Sequence, residues 1–251
     1  MSLGIPYYVS TNNKHMRCLQ VFVELFSKFT NSHDLTILGY DYPDFKLPSN
    51  CTFISMGKQG SVEEWSTDLR SYLLENAPEH FIYSTEDVFF YDDFNMDYIK
   101  FLISIMEENK NFGRLQLSMT VEGDITKDPC YNLSLLRPMT HKDLRFDMYQ
   151  LVNSTYSVNC QPSIWNKKFL MEYLIPGYSP WTFEIQGSES AKNDPKWSSI
   201  LLAKEFPIFK VEGFGGSFEL ADQWTNKNKW LGHLSDSKLV DIIEKWEKKE
   251  K

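Results

Sequence analysis

The sequence has no run approaching the ~18 apolar residues that a membrane span needs, and so predicts no transmembrane segment. Its opening, Met1 to Ser10, lacks a basic stretch followed by a long apolar core, and reads as a first strand instead of a signal peptide. Cysteine is scarce. Cys18, Cys51, Cys130 and Cys160 are scattered and form no C-x-x-C, which argues against a disulfide frame and for reduced, mostly buried thiols in a cytoplasmic protein. Asn50, Asn132 and Asn153 open Asn-x-Ser/Thr triplets, which carry no weight without secretion. No H-E-x-x-H, G-x-S-x-G or P-loop is present. The histidines (His15, His33, His80, His141, His233) are dispersed and read as structural or surface groups. Positive charge is in short supply: 26 Lys and Arg stand against 34 Asp and Glu, a formal net charge of −8. That balance argues against a protein that coats nucleic acid through phosphate contacts. Internal repeats are lacking, as is any linker rich in Gly, Ser or Pro, so residues 1–251 read as one domain.

What is present is a hydrophobic fraction of 42%, enough for a substantial core, and an aromatic share of 15% that serves cores and ring-binding pockets alike. Ile5 to Ser10 reads as a strand ending in polar Ser10-Thr11-Asn12-Asn13. Cys18, Phe22, Leu25, Phe26 and Phe29 then fall on one helical face, which Asn12 or Asn13 can cap. Strands are predicted at Leu35 to Tyr40 and Cys51 to Met56, followed by a capping box at Ser61-Val62-Glu63-Glu64 and a helical face of Val62, Trp65, Leu69, Tyr72 and Leu73. His80 to Tyr83 is a fourth strand, Tyr98, Ile99, Leu102, Ile103 and Met106 a buried helix face, and Gly113 to Ser118 a fifth strand. Met119 to Val152 is irregular and reads as a long excursion over the sheet. Tyr156 to Trp165 is extended, Lys168 to Leu174 a short helix, Phe206 to Glu212 a strand, and about 235–248 a C-terminal helix. The alternation gives an α/β fold with a mainly parallel sheet flanked by helices. Ligands of such sheets sit at the carboxyl ends of the strands, where Ser10-Thr11, Asp41 and Glu86-Asp87 gather.

Several segments could carry chemistry. Thr85-Glu86-Asp87 directly follows an apolar strand. Adjacent carboxylates there suit a hard divalent ion on diphosphate oxygens, or simply a solvated acidic loop. Asp92-Asp93, just downstream, read as turn and helix-start charges. In Ser179-Pro180-Trp181-Thr182-Phe183-Glu184, Ser179 suits an N-cap and Pro180 the first helical position. Glu184 then lies early in a helix, where the dipole favours a charged carboxylate able to accept a proton from a sugar hydroxyl. Ordinary helix-start chemistry explains it equally. In Asn159 to Trp165, Asn159 and Gln161 offer donors and acceptors to a hydroxyl-rich ligand, or form a polar strand end. Gly213-Phe214-Gly215-Gly216 lacks the G-x-G-x-x-G spacing and reads first as a hairpin turn.

Phe81 to Phe90 resembles the strand-plus-acidic motif of GT-A glycosyltransferases. Gln161-Pro162-Ser163-Ile164-Trp165 followed by Pro176-Gly177-Tyr178-Ser179-Pro180-Trp181-Thr182-Phe183-Glu184 resembles a pattern of bacterial, phage and large-virus members of that kind. Tyr8-Val9-Ser10-Thr11 and Trp65-Ser66-Thr67-Asp68-Leu69 fit as well, so the likeness runs from about residue 5 to about residue 220. The resemblance implies a GT-A-like, Rossmann-type mixed sheet, a nucleotide-diphosphate-sugar donor, a glycan acceptor, and Mn²⁺ or Mg²⁺ on the diphosphate. Carried over, it implies Ser10, Thr11 and Asp68 at the nucleoside, Glu86 and Asp87 at the metal and diphosphate, Gln161, Trp165 and Trp181 at the acceptor, and Glu184 as the base of an inverting transfer. The usual Asp-x-Asp is replaced by Thr85-Glu86-Asp87, which puts metal dependence in question. A non-catalytic glycan- or nucleotide-binding module of the same fold is the alternative.

Overall fold

The computed structural model describes residues 4–90, 93–117, 132–142, 144–192, 194–203, 208–214 and 217–220. The strands are β1 (Tyr7–Ser10), β2 (Leu35–Gly39), β3 (Cys51–Ser55), β4 (His80–Thr85), β5 (Val88–Phe90), β6 (Phe112–Gln116), β7 (Leu133–His141), β8 (Leu144–Leu151), β9 (Ser163–Asn166), β10 (Ser198–Ala203), β11 (Ile208–Phe214) and β12 (Ser217–Leu220). The helices are α1 (Met16–Phe29), α2 (Trp65–Asn76), α3 (Met96–Glu108), α4 (Lys167–Tyr173), α5 (Pro180–Thr182) and α6 (Ser188–Ala191), with a π-helical turn, Phe183–Gly187, between the last two. This is the expected α/β class, a mixed, mostly parallel sheet with flanking helices. Among the described residues no helix is long and apolar enough to cross a membrane.

The chain divides into two compact units, residues 8–59, 85–95 and 207–251 in one and residues 1–7, 60–84 and 96–206 in the other. In the first, strands run in the order β3-β2-β1, with β2 and β3 parallel in register from Leu35 opposite Cys51. A three-stranded sheet of order β12-β11-β5 lies in the same unit. The apolar face read from the sequence builds α1: Cys18, Phe22, Leu25, Phe26 and Phe29 are all buried. Phe22 and Phe26 close edge-on over Phe90, at 6.1 and 5.4 Å between centroids, and Phe90 meets Phe94 at 5.2 Å. Edge-to-face rings at this spacing add to simple area burial. Thr30 ends α1 by donating its hydroxyl to the Phe26 carbonyl at 2.5 Å.

In the other unit the order is β4-β9-β6-β10-β8-β7. β9 is antiparallel to both β4 and β6, whereas β10 is parallel to β6. The irregular excursion expected between Met119 and Val152 is in part a hairpin, since β7 and β8 pair antiparallel from His141–Leu144 to Leu133–Leu151. The Ser61 capping box does not form. Ser61 makes no side-chain cap bond, a short turn Val62–Glu64 intervenes, and α2 begins at Trp65. Val62 consequently lies exposed, and Trp65, Ser66, Leu69 and Leu73 form the buried face. On α3, Ile105 takes the buried place expected of Ile103. β11 and β12 form the hairpin expected around Gly213, with Phe214 opposite Ser217. The expected C-terminal helix at about 235–248 lies outside the described residues.

Candidate functional site

The carboxyl ends of β1, β2 and β3 are tied together by one asparagine. Asn13 donates its side-chain amide to Asp41 at 2.7 Å and accepts the Asp41 backbone N–H at 3.0 Å. Its own N–H donates to Gln59 at 2.9 Å. Asn12 caps the turn that opens the helix by accepting the Lys14 N–H at 2.9 Å, the role expected of it. Ser10 and Thr11 are both buried, and the Thr11 N–H reaches the Leu38 carbonyl at 2.9 Å.

The acidic motif adjoins this edge within the same unit. Glu86 is only 3% exposed and its carboxylate meets His15 Nδ1 at 2.6 Å. The Asp87 carboxylate accepts the Thr85 hydroxyl, and the Cys18 thiol donates to the Glu86 carbonyl at 3.4 Å. Burial alone lowers His15, but the Glu86 hydrogen bond and charge more than offset it, so the imidazole is raised above its ordinary value of 6.5. Burial raises the Glu86 carboxyl above its ordinary 4.5, and His15 reverses only part of that. A histidine raised in the fold stabilises fully below its unfolded value and loses that contribution as pH rises through the folded one. The wild-type protein is therefore expected to lose stability as pH rises above 6.5 through the raised value of His15. Glu86→Gln removes the hydrogen bond and the larger charge behind the rise and leaves only Asp87 to oppose burial, so that decline should shrink. Urea denaturation between about pH 6 and 8.5 checks this, and an unchanged slope in the variant would mean that other groups set it.

The Ser179 run lies in the other unit and is stitched to the start of α2. Ser66 accepts the Tyr178 N–H at 2.7 Å, donates its hydroxyl to the Ile175 carbonyl at 2.8 Å, and its own N–H reaches the Tyr178 carbonyl at 3.3 Å. Thr67 accepts the Gly177 N–H at 3.1 Å. Gly177 has φ of +87°, a conformation that side chains disfavour. Asp68 is half-buried in this same first turn of α2. Ser179 caps as expected, accepting the Thr182 N–H at 3.1 Å, with Pro180 following.

Beyond the cap the helix departs from expectation. Phe183–Gly187 winds as a π turn, a wider form that is frequent at functional sites. Glu184 lies in this turn, half-buried, and accepts the Cys160 backbone N–H at 2.8 Å. One turn on, the Ser188 hydroxyl accepts from the Val158 N–H at 3.0 Å and donates to its carbonyl at 2.8 Å. The helix and the 158–160 segment thus touch through Gly187, where an added Cβ would sit 2.9 Å from Val158 Cγ2. Gly→Ala inside a helix ordinarily stabilises by about 0.5–1 kcal/mol. Here overpacking costs of about 1–3 kcal/mol outweigh it, and Gly187→Ala is expected to lower the melting temperature. A rise in melting temperature would show that the π turn relaxes freely.

Arg114, on β6, is fully buried and holds the segment before β9. Its Nε donates to Ser163 Oγ at 3.0 Å, Nη1 to the carbonyls of Ser157 and Tyr156 at 3.0 and 3.4 Å, and Nη2 to Gln116 Oε1 at 2.6 Å and to Asn159 Oδ1. The guanidinium also lies 5.2 Å from the Trp165 ring centroid. Trp165 itself is 0% exposed, packed against Phe169 and Phe183 at 6.0 and 6.2 Å. β9 thus turns the indole of this expected acceptor residue into the core. Gln161 is likewise buried, whereas Trp181 is 65% exposed and Ile185, one turn on, 62%.

The structure therefore gathers the expected residues in two groups. Ser10, Thr11, Glu86 and Asp87 belong to one unit; Asp68, Gln161, Trp165, Trp181 and Glu184 belong to the other. Sequence reasoning passed over His15 and Arg114. An arginine inside the apolar strand Phe112–Gln116 was a signal for the second, because a buried charge needs an array of acceptors. Among the described residues no three His, Cys, Asp or Glu side chains converge as a metal site. The donor set fits a cation only in the form Mg²⁺ commonly takes, one or two carboxylates with the remaining positions filled by substrate phosphate and water.

No family model and no curated protein matches the sequence. Among solved structures the chain is similar to S. aureus TarS 1–349, with a TM-score of 0.51 and 12% identity. That match covers 83% of this chain and 60% of the length of the other. It is similar also to TarS 1–349 in complex with UDP (TM-score 0.50, 12% identity, 82% and 60% covered). The structure in complex with UDP-GlcNAc matches over 97% of this chain and 71% of that one, at a TM-score of 0.50 and 13% identity. At such identity the likeness is one of fold.

Proposed function

We propose that this chain is a glycosyltransferase that moves a sugar from a nucleotide-diphosphate donor to a hydroxyl of a glycan or other acceptor, with inversion. The observation that carries the reading is the Glu184 carboxylate, oriented by the Cys160 N–H at 2.8 Å and flanked by the exposed faces of Trp181 and Ile185. The GT-A resemblance of the Pro176–Glu184 run and the likeness of fold to a protein crystallised with UDP-GlcNAc support it. UDP-sugars are accordingly the first donors to test.

In this reading Glu184 takes the proton of an acceptor hydroxyl as its oxygen attacks the anomeric carbon from the side opposite the diphosphate. The new C–O bond forms while the bond to the diphosphate breaks, and the nucleoside diphosphate leaves with the electron pair. Trp181 gives the acceptor ring an apolar face. The resemblance assigns Ser10, Thr11 and Asp68 to the nucleoside, and Glu86 and Asp87 to the diphosphate. A bound Mn²⁺ or Mg²⁺ would neutralise charge building on that leaving group. Of the two acidic residues, Asp87 is the better placed ligand, because Glu86 is buried against His15. Among the described residues Cys18, Cys51 and Cys160 form no disulfide, which agrees with the expected reducing setting.

Release of UDP from UDP-GlcNAc and UDP-glucose, followed with Mn²⁺ and a panel of glycan acceptors, tests the reading. Acceptor-dependent release is expected. The engagement of Glu86 by His15 favours a second reading, a binding module of the same fold, which predicts glycan or nucleotide binding with no release from any donor.

A further inference from the structure

Arg114 does more than fill a gap in the sheet. Its guanidinium has no access to solvent and reaches Ser163, Ser157, Tyr156, Gln116 and Asn159 at once. Burying an arginine is costly unless its donors are met, and the planar fork suits several acceptors held in fixed directions. Four of those acceptors belong to one stretch of chain, 156–163. Asn159 then passes the constraint on. The same Oδ1 that Arg114 engages also accepts the Gln161 N–H at 3.0 Å, and its Nδ2 donates to Gln116 at 3.2 Å. Between Asn159 and Gln161 lies Cys160, whose N–H points to Glu184 at 2.8 Å. Ser188 clamps Val158 on the other side through two hydrogen bonds.

We infer that Arg114, acting through Asn159, is a positioning residue that fixes the Cys160 N–H and thereby the direction in which the Glu184 carboxylate faces. The inference rests on the reading of Glu184 as the base for its catalytic meaning, though not for its geometry. A misplacement of about 1 Å at a reacting group costs on the order of 10²-fold in rate, so the effect belongs in kcat and leaves the donor KM unchanged. The arrangement also explains why the segment before β9 is polar and yet buried: Ser157, Asn159 and Gln161 are parts of a frame around one cation.

The test compares Asn159→Ala, Asn159→Asp and Arg114→Lys in the full chain by two readouts, amide exchange at Cys160 and turnover of UDP-GlcNAc. Asn159→Ala should speed exchange at Cys160 by about tenfold or more through local opening, and lower kcat by about 10–100-fold at unchanged donor KM. Asn159→Asp keeps the Oδ1 acceptor while losing the donor to Gln116, and should recover most of both. Lysine lacks the fork and should behave as Asn159→Ala does. Should Arg114→Lys fail to fold, the two Asn159 variants still decide. Unchanged Cys160 exchange in Asn159→Ala overturns the inference whatever the activity. Equal losses in kcat and in donor affinity would also overturn it, marking a merely structural role. Glu184→Gln is run in parallel. If it keeps full turnover, the base assignment fails, while the exchange data still decide whether Arg114 positions the carboxylate.

Discussion

Glu184→Gln is expected to lower sugar transfer by about 10²–10⁴-fold while UDP still binds. Glutamine matches glutamate in shape, and its side-chain oxygen can still accept the Cys160 N–H, so the π turn Phe183–Gly187 should hold its form. What is lost is the negative charge that, in the proposed reaction, takes the acceptor proton. The melting temperature should consequently change little, and the loss should appear in kcat with the donor KM preserved. Normal turnover in the variant would remove Glu184 from the reaction and direct attention to a retaining mechanism or to another base.

Asp87→Asn is expected to reduce Mn²⁺-dependent turnover by about 10²–10³-fold, the scale on which charge stabilisation of a leaving group acts. Asparagine keeps an oxygen to accept the Thr85 hydroxyl, so the loop after β4 should survive. Glu86→Gln is the matched control. Its carboxylate is engaged with His15 inside the protein, and the variant should keep metal-stimulated turnover. A comparable loss in both variants would make Glu86 a second ligand of the ion. Full activity of Asp87→Asn with Mn²⁺ would place the cation, if one is used, on other groups.

The sequence made the helical parts of this molecule legible where one face is buried and the other wet. The α1 stripe from Cys18 to Phe29 is of that kind, and so are the Ser179 cap and the Pro180 helix start. The β7–β8 hairpin escaped because β7 is mostly exposed along its length, so Leu133 to His141 carries no alternation of apolar and polar residues. The Ser61 box was read from spacing alone, and the chain there takes a tighter turn first. A π turn leaves no mark in a sequence, so the seat of Glu184 was found by motif and its geometry was not. Resemblance of the Gln161–Trp165 pattern assigns Trp165 to the acceptor, and the direction its strand gives the indole, inward against Phe169, is not part of that pattern. His15 and Glu86 lie far apart in sequence, and only the packing of the short turn Asn13–His15, just ahead of α1, against residues 85–87 of the same unit makes them a pair. Of the candidate site, residue types were readable and partnerships were not, because partnerships depend on contacts between distant segments.

Calorimetric titration of the full chain with UDP, in the presence and absence of Mn²⁺, tests the central claim most directly. The account predicts binding of UDP that is strengthened by Mn²⁺ and weakened by Asp87→Asn, with a matching rise in melting temperature through linkage. Absence of binding to UDP, UDP-GlcNAc and other nucleoside diphosphates, with or without the ion, would contradict it and leave a shared fold without a donor site.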